Sequence, residues 1–194
     1  MRIGCAVLAA GAGARFDGAA SKLLARVRGK PLVQWAIDAS SASRALHCSL
    51  ILGSRSESVV SNVDARRCEI VVNPRWSDGI AASIACAART HADDDALVLM
   101  LGDQPNIVAD DIDRLIEASG GDAIVALRTA EVFGAPVLFP RRDFASLRAL
   151  RGDEGAKRHA ASHPHRLKFV QAIRSDAFAD VDLRSDVVTR PVGR

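Results

Sequence analysis

Ile3-Gly4-Cys5-Ala6-Val7-Leu8-Ala9-Ala10-Gly11-Ala12-Gly13-Ala14-Arg15-Phe16 opens with a short apolar run and breaks at Ala9 into small residues. An uninterrupted apolar run is the pattern of a strand covered on both faces, as in a parallel sheet. The small residues that follow leave backbone N–H groups within reach of an anion. Glycine there supplies the φ > 0 angles that aim those groups. Arg15 adds a planar fork of donors suited to phosphate oxygens, and a second cation, Lys22, follows it. Strand, small-residue loop and two cations together read as a triphosphate cradle. Two familiar phosphate loops do not fit. A dinucleotide-binding turn needs a third Gly where Phe16 stands, and the ATP-binding loop needs a Gly-Lys-Ser/Thr end that this stretch lacks. A secretory signal is not expected, because only Arg2 precedes the apolar run and a basic, Asp-containing segment follows it.

Outward from this stretch, apolar runs alternate with helical patterns. Strands are expected at 46–53, 68–72, 96–101, 123–127, 135–139 and 167–172. Pro31 at a first helical position opens a helix with Leu32, Trp35, Ala36 and Ala39 at helical spacing, after a short connection over 23–29. Residues 79–90 read as a tightly packed helix of small residues. Asp110-Asp111 opens another helix, with Ile112, Leu115 and Ile116 inward, and further helices are expected at 143–150 and 154–161. Helices between continuously apolar strands predict an α/β fold, a Rossmann-like, mostly parallel sheet with helices on both faces. Ligands in such folds bind beyond the carboxyl ends of the strands. The loops at 9–15 and 102–105 both leave strands at that end. No repeat or linker divides the chain, so one domain over 1–194 is expected.

Composition narrows the function classes. The apolar fraction, 48%, is enough for a proper core, and no stretch approaches the ~20 apolar residues of a membrane span. The net charge of +3 is spread along the chain and Tyr is absent, which argues against nucleic acid as a partner. Cys5, Cys48, Cys68 and Cys86 form no C-x-x-C pair. Cys5, Cys48 and Cys68 sit in or beside apolar runs and read as reduced core residues, pointing to the cytoplasm.

Asp103 follows a strand directly, between Gly102 and Gln104-Pro105. A carboxylate so placed is suited to hold Mg²⁺ against substrate phosphates, and a turn-forming Asp is the alternative. Asp180-Val181-Asp182 sets two carboxylates on one face of an extended segment, either a second metal ligand or a solvated acidic turn. His159 and His163 are one helical turn apart, but Pro164 follows and no partner carboxylate is evident, so a surface helix end is expected there.

These segments resemble a known family. Leu8-Ala9-Ala10-Gly11-Ala12-Gly13-Ala14-Arg15-Phe16 with Lys22-Leu23-Leu24 looks like the nucleotidyltransferase signature, and Gly29-Lys30-Pro31-Leu32 matches the motif that follows it. Asn73 to Ile84, Leu101-Gly102-Asp103-Gln104-Pro105, Gly134 to Phe139, Gly152 to Lys157 and Asp180-Val181-Asp182 match later motifs in the expected order. The chain is similar to the MobA-like nucleotidyltransferases, most closely to their molybdenum cofactor cytidylyltransferase branch. The resemblance implies a fold of the nucleotide-diphospho-sugar transferase type, Mg²⁺ as cofactor and CTP as donor. It implies as acceptor the terminal phosphate of a pterin-type cofactor, and as partner a molybdoenzyme or its chaperone. By position, Leu8, Ala9, Ala10, Gly11 and Gly13 contact the nucleotide, and Arg15 and Lys22 hold phosphates. Gly79 and Ser83 lie near base or ribose, Asp103 binds the metal, and Asp182 or Asp180 completes its site. Ala10, where guanylyl-transferring members carry Gly, favours the smaller base. Transfer to another phosphorylated acceptor, or a non-catalytic nucleotide-binding module, are the alternative readings.

Overall fold

The structure is a computed structural model that describes residues 1–12, 21–130 and 132–179. Its strands are β1 (Ile3–Ala9), β2 (Arg26–Val27), β3 (Lys30–Pro31), β4 (His47–Leu52), β5 (Cys68–Val72), β6 (Ala96–Leu101), β7 (Ile124–Arg128), β8 (Phe133–Pro140) and β9 (Leu167–Gln171). Its α-helices are α1 (Leu32–Ala42), α2 (Ser56–Val60), α3 (Ile80–Thr90), α4 (Ala109–Ala118), α5 (Phe144–Ala149) and α6 (Ala156–Ala161). Seven strands form one sheet in the order β5-β4-β1-β6-β8-β7-β9. β5, β4, β1 and β6 run parallel, β8 is antiparallel to both its neighbours, and β9 is parallel to β7. The expectation of a mostly parallel α/β sheet therefore holds.

β1 is buried along its whole length, which explains why it is apolar at every position rather than at alternate ones. One face of the sheet packs Val7, Val98 and Met100 against Val33 and Ile37 of α1 and Ile112 and Leu115 of α4. The opposite face packs Ala6, Leu99 and Phe139 against Ile84 of α3, Leu147 of α5 and Ala160 of α6. Asp111 does more than complement the dipole of α4. Buried, it accepts the Val108 N–H at 3.1 Å and the Ile173 N–H at 2.8 Å, tying the helix start to the segment after β9.

The connection before α1 is more structured than expected. It contains a 3₁₀ turn, Lys22–Leu24, and the β2–β3 hairpin. Arg28 and Gly29 make that hairpin's two-residue turn, both with positive φ (49° and 87°). Pro31 belongs to β3 and sits at the N-cap of α1, which begins at Leu32, one residue after the expected start. Arg28 lies 4.1 Å over the Trp35 ring, and its Nη2 donates to the Pro105 carbonyl at 2.5 Å, so the hairpin braces the loop after β6.

One cysteine expectation is overturned. Cys48 and Cys68 are not reduced thiols; they are partners in the β4–β5 register and are joined in a disulfide with Cα atoms 4.8 Å apart. Their pairing arises from strand register, which local sequence does not reveal, and it removes this pair from the argument for a reducing compartment. Cys5 and Cys86 are free and buried, and burial pushes the Cys5 thiol up to about 12. No helix among the described residues is long and apolar enough to cross a membrane.

Candidate active site

From β1 the chain moves outward through β4 to β5, then returns to place β6 on the other side of β1. The direction of winding thus reverses between β1 and β6, and their outgoing loops part there to leave a crevice. A cavity of about 590 Å³ opens at this point. Leu8, Ala9, Ala10 and Gly11 line it from β1 and its loop, and Lys22, Gly79, Ser83 and Asp103 line it from the other sides. The site residues expected from sequence that lie within the described chain therefore share one cavity. Gly13, Arg15, Asp180 and Asp182 lie outside the described residues.

The wall is held by contacts that depend on missing side chains. A Cβ on Gly53 would lie 2.8 Å from the Ala10 carbonyl and would strike the Trp76 side chain, so Gly53 lets Trp76 close over the loop after β1. The Ser54 N–H donates to the same Ala10 carbonyl at 3.0 Å. Gly79 has φ +95°, and a Cβ there would run into the Gly152 backbone. That close approach docks loop 150–154 on the start of α3, where the Ala81 N–H donates to the Gly152 carbonyl at 3.1 Å. Asp153 is thereby brought to the cavity wall. Buried Asn73 accepts the Arg75 N–H at 3.0 Å and donates to the Ser83 hydroxyl at 3.2 Å, fixing the loop after β5 against α3.

Lys22 and Asp103 meet in the cavity. The Lys22 Nζ donates to Asp103 Oδ2 at 2.8 Å, with the two side chains only 13% and 28% exposed. This is a charge-assisted hydrogen bond in a place shielded from bulk water. A cation and an anion held together can each be drawn to a ligand of opposite charge, a phosphate for Lys22 and a divalent metal for Asp103. The donor set suits Mg²⁺, which takes one or two carboxylates and completes its shell with water and phosphate oxygens. Asp103 and Asp153 are carboxylates on the same cavity. Trp76, Ser77 and Asp153 fall within the motifs read from sequence but were given no role there. Their placement follows from the Gly53 and Gly79 contacts, and a glycine before a helix was the available signal.

Two histidine clusters lie elsewhere. At the amino end of the sheet, His91 Nδ1 is 2.8 Å from Asp94 Oδ2, His91 Nε2 is 2.8 Å from Ser49 Oγ, and His47 Nε2 is 3.0 Å from Asp94 Oδ2. No Ser/His/Asp set stood out from sequence, and this one is a buried structural network: Ser49 is 0% exposed and has no route to substrate. His159, expected at a surface helix end, is buried and paired with Asp143 at 3.2 Å. Arg166 holds both Asp143 oxygens, which satisfies that carboxylate without a metal.

The comparisons with known proteins agree with this fold. Residues 5–167 match the model of the MobA-like NTP transferase domain. The bifunctional protein GlmU of Cutibacterium acnes is 31% identical over 133 residues, 65% of this chain and 31% of that protein. The chain thus spans about a third of the length of the curated relatives it matches. Rv0371c of Mycobacterium tuberculosis superposes with a TM-score of 0.82 at 27% identity, covering 95% of this chain and 94% of that one. A nucleotidyl transferase from Methanothermobacter, Mth528, has a TM-score of 0.84 at 22% identity over 95% of this chain and 94% of its own, a likeness of fold. With the family model spanning every strand from β1 to the start of β9, and the crevice lying where this fold places its ligands, the chain belongs to the MobA-like NTP transferase family.

Proposed function

We propose that the protein transfers CMP from CTP to the terminal phosphate of a pterin-type acceptor and releases pyrophosphate. The observation that carries the reading is the convergence of Ala10, Gly11, Lys22, Ser83 and Asp103 on one cavity at the point where the sheet reverses its winding. An acceptor phosphate oxygen attacks the α-phosphorus of the triphosphate. One P–O bond forms, the α–β bridging bond breaks, and its electron pair leaves with pyrophosphate. The protein contributes alignment and charge. Backbone N–H groups around Gly11 and the Lys22 ammonium receive the phosphates, with Arg15 and Gly13 assigned to the same task. Gly79 and Ser83 face the nucleoside. Asp103 holds the divalent metal, with Asp180 or Asp182 as the assigned second ligand and Asp153 a further carboxylate at the cavity. The metal, when bound, neutralises charge on the phosphates. A manganese complex of Rv0371c, 26% identical, supports a divalent cation. Mg²⁺ is the cation proposed here, and a molybdoenzyme or its chaperone is the proposed recipient of the product.

Ala10 narrows the space beside the base relative to Gly, which favours a pyrimidine. Initial rates with each NTP, a molybdopterin acceptor and Mg²⁺ test the reading. CTP is expected to exceed GTP by at least about tenfold in kcat/KM. GTP equalling CTP would remove the cytidylyl assignment and leave nucleotidyl transfer in place. Transfer to a different phosphorylated acceptor is the second reading, in keeping with a match that spans 65% of this chain to a protein outside the molybdenum cofactor branch.

A further inference from the structure

Behind the candidate nucleotide cavity, between α3 and the loop that leaves α5, lies a small cavity of about 70 Å³. Ala82 and Ala85 of α3 give it a wall without bulk. Four arginines from separate segments line it: Arg75 after β5, Arg89 on α3, Arg148 on α5 and Arg151 beyond α5. Asp78 is the only carboxylate among the described residues that line it, so the lining carries a formal charge of +3, four arginines less one aspartate. Two of the arginines are already held. Arg75 Nε donates to Asp78 Oδ2 at 2.8 Å. Arg151 Nη1 donates to the Ala149 and Leu150 carbonyls, each at 2.9 Å, where α5 ends. Arg89 and Arg148 are exposed and make no ion pair among the described residues. Like charges gathered around so small a space repel one another, and one carboxylate does not offset four cations.

We infer that this cavity is an effector site for a free inorganic oxyanion of the phosphate class, and that its occupancy tightens nucleotide binding in the neighbouring cavity. A guanidinium presents a planar fork of donors matched to phosphate oxygens. A tetrahedral oxyanion offers an oxygen to each of four forks, whereas a carboxylate offers two oxygens in one plane. The volume is roughly twice a water's share of the liquid, which admits one phosphate group and no nucleotide. The coupling follows from where the arginines stand. Arg75 comes just before Gly79 and Arg151 adjoins Gly152, and the close approach of Gly79 to Gly152 is what brings Asp153 to the nucleotide cavity. Docking these two loops draws Arg75 and Arg151 together, so charge repulsion opposes it without an anion. An oxyanion between them reverses the sign. It touches both loops only when they are docked, which is the differential contact that coupling requires. Nucleotide and oxyanion then favour each other reciprocally. This coupling rests on the nucleotide reading of the larger cavity.

Inorganic phosphate is the probe, titrated calorimetrically into the full chain at constant ionic strength set with chloride. Saturable binding is expected in the parent and in Lys22→Ala, which lacks the cation proposed to hold phosphates in the nucleotide cavity. It is expected to be lost in the double variant Arg89→Gln/Arg148→Gln, whose melting temperature should stay near the parent's because both side chains are exposed. CTP with Mg²⁺ is then titrated with and without saturating phosphate. Phosphate should tighten CTP binding at least about fivefold in the parent and leave it unchanged in the double variant. No saturable phosphate binding, binding that survives in the double variant, binding lost in Lys22→Ala, or CTP affinity in the parent unchanged or weakened by phosphate each overturns the inference. A phosphoserine peptide that binds where inorganic phosphate does not would overturn it too, assigning the arginines to a protein partner. Absence of CTP binding to the parent removes the nucleotide reading and with it the coupling, whereas the phosphate titration decides the oxyanion site by itself.

Discussion

At the scale of single residues, the Lys22–Asp103 pair governs the chemistry proposed for the cavity. Replacing Asp103 by Ala removes the proposed metal ligand, so turnover is expected to fall about a hundredfold or more while thermal stability changes little. Steady-state kinetics beside a melting curve checks this, and near-parental turnover would take Asp103 out of the metal site. Lys22→Ala should raise the nucleotide KM and lower kcat together, and Lys22→Arg should rescue only in part because a planar fork does not replace a compact ammonium. His91 belongs to stability instead. Burial holds its imidazole below the ordinary value, with Asp94 and Glu69 opposing and His47 reinforcing the shift. Below about pH 6.5 the unfolded chain therefore binds a proton that the native chain refuses. Stability should fall as pH drops from about 6.5 toward the lower native value, and His91→Gln should flatten that slope in melting temperatures measured between pH 7 and 5. An unchanged slope would assign the acid sensitivity to other groups.

At the scale of elements, Gly79 links α3 to the loop that delivers Asp153. Gly79→Ala forces a Cβ toward the Gly152 backbone at a φ that Ala rarely adopts, so a loss of about 1–3 kcal/mol in denaturant unfolding is expected. The displaced loop should also raise the nucleotide KM, and a variant with parental KM would show that Asp153 contributes nothing to nucleotide binding. The apolar runs at β1, β4 and β6 and the helices α1, α3 and α4 were legible because each has a strong period or an apolar core. The β2–β3 hairpin and α2 were not, because two- and five-residue elements carry too little pattern and owe their form to packing. The candidate site was legible where the chain itself marks a loop with Gly or Asp. Trp76 and Asp153 lie in motifs the sequence shows, but their place at the cavity was hidden because it follows from contacts between distant loops. The same holds for the Cys48–Cys68 bond, which is written in strand register.

At the scale of the whole molecule, β1 leads into the loop proposed to hold phosphates and occupies the middle of the parallel part of the sheet. Both of its neighbours, β4 and β6, lie later in the chain. On the ribosome β1 therefore emerges before its partners and waits for them. β4 can close one edge of it early, but the other edge stays open until Leu101 has left the exit tunnel. The nascent chain thus carries an apolar, unpaired strand edge until β6 has been made, the kind of surface that chaperones shield and that aggregates when they do not. The strand that borders the candidate crevice is the one whose burial is completed only when β6 exists.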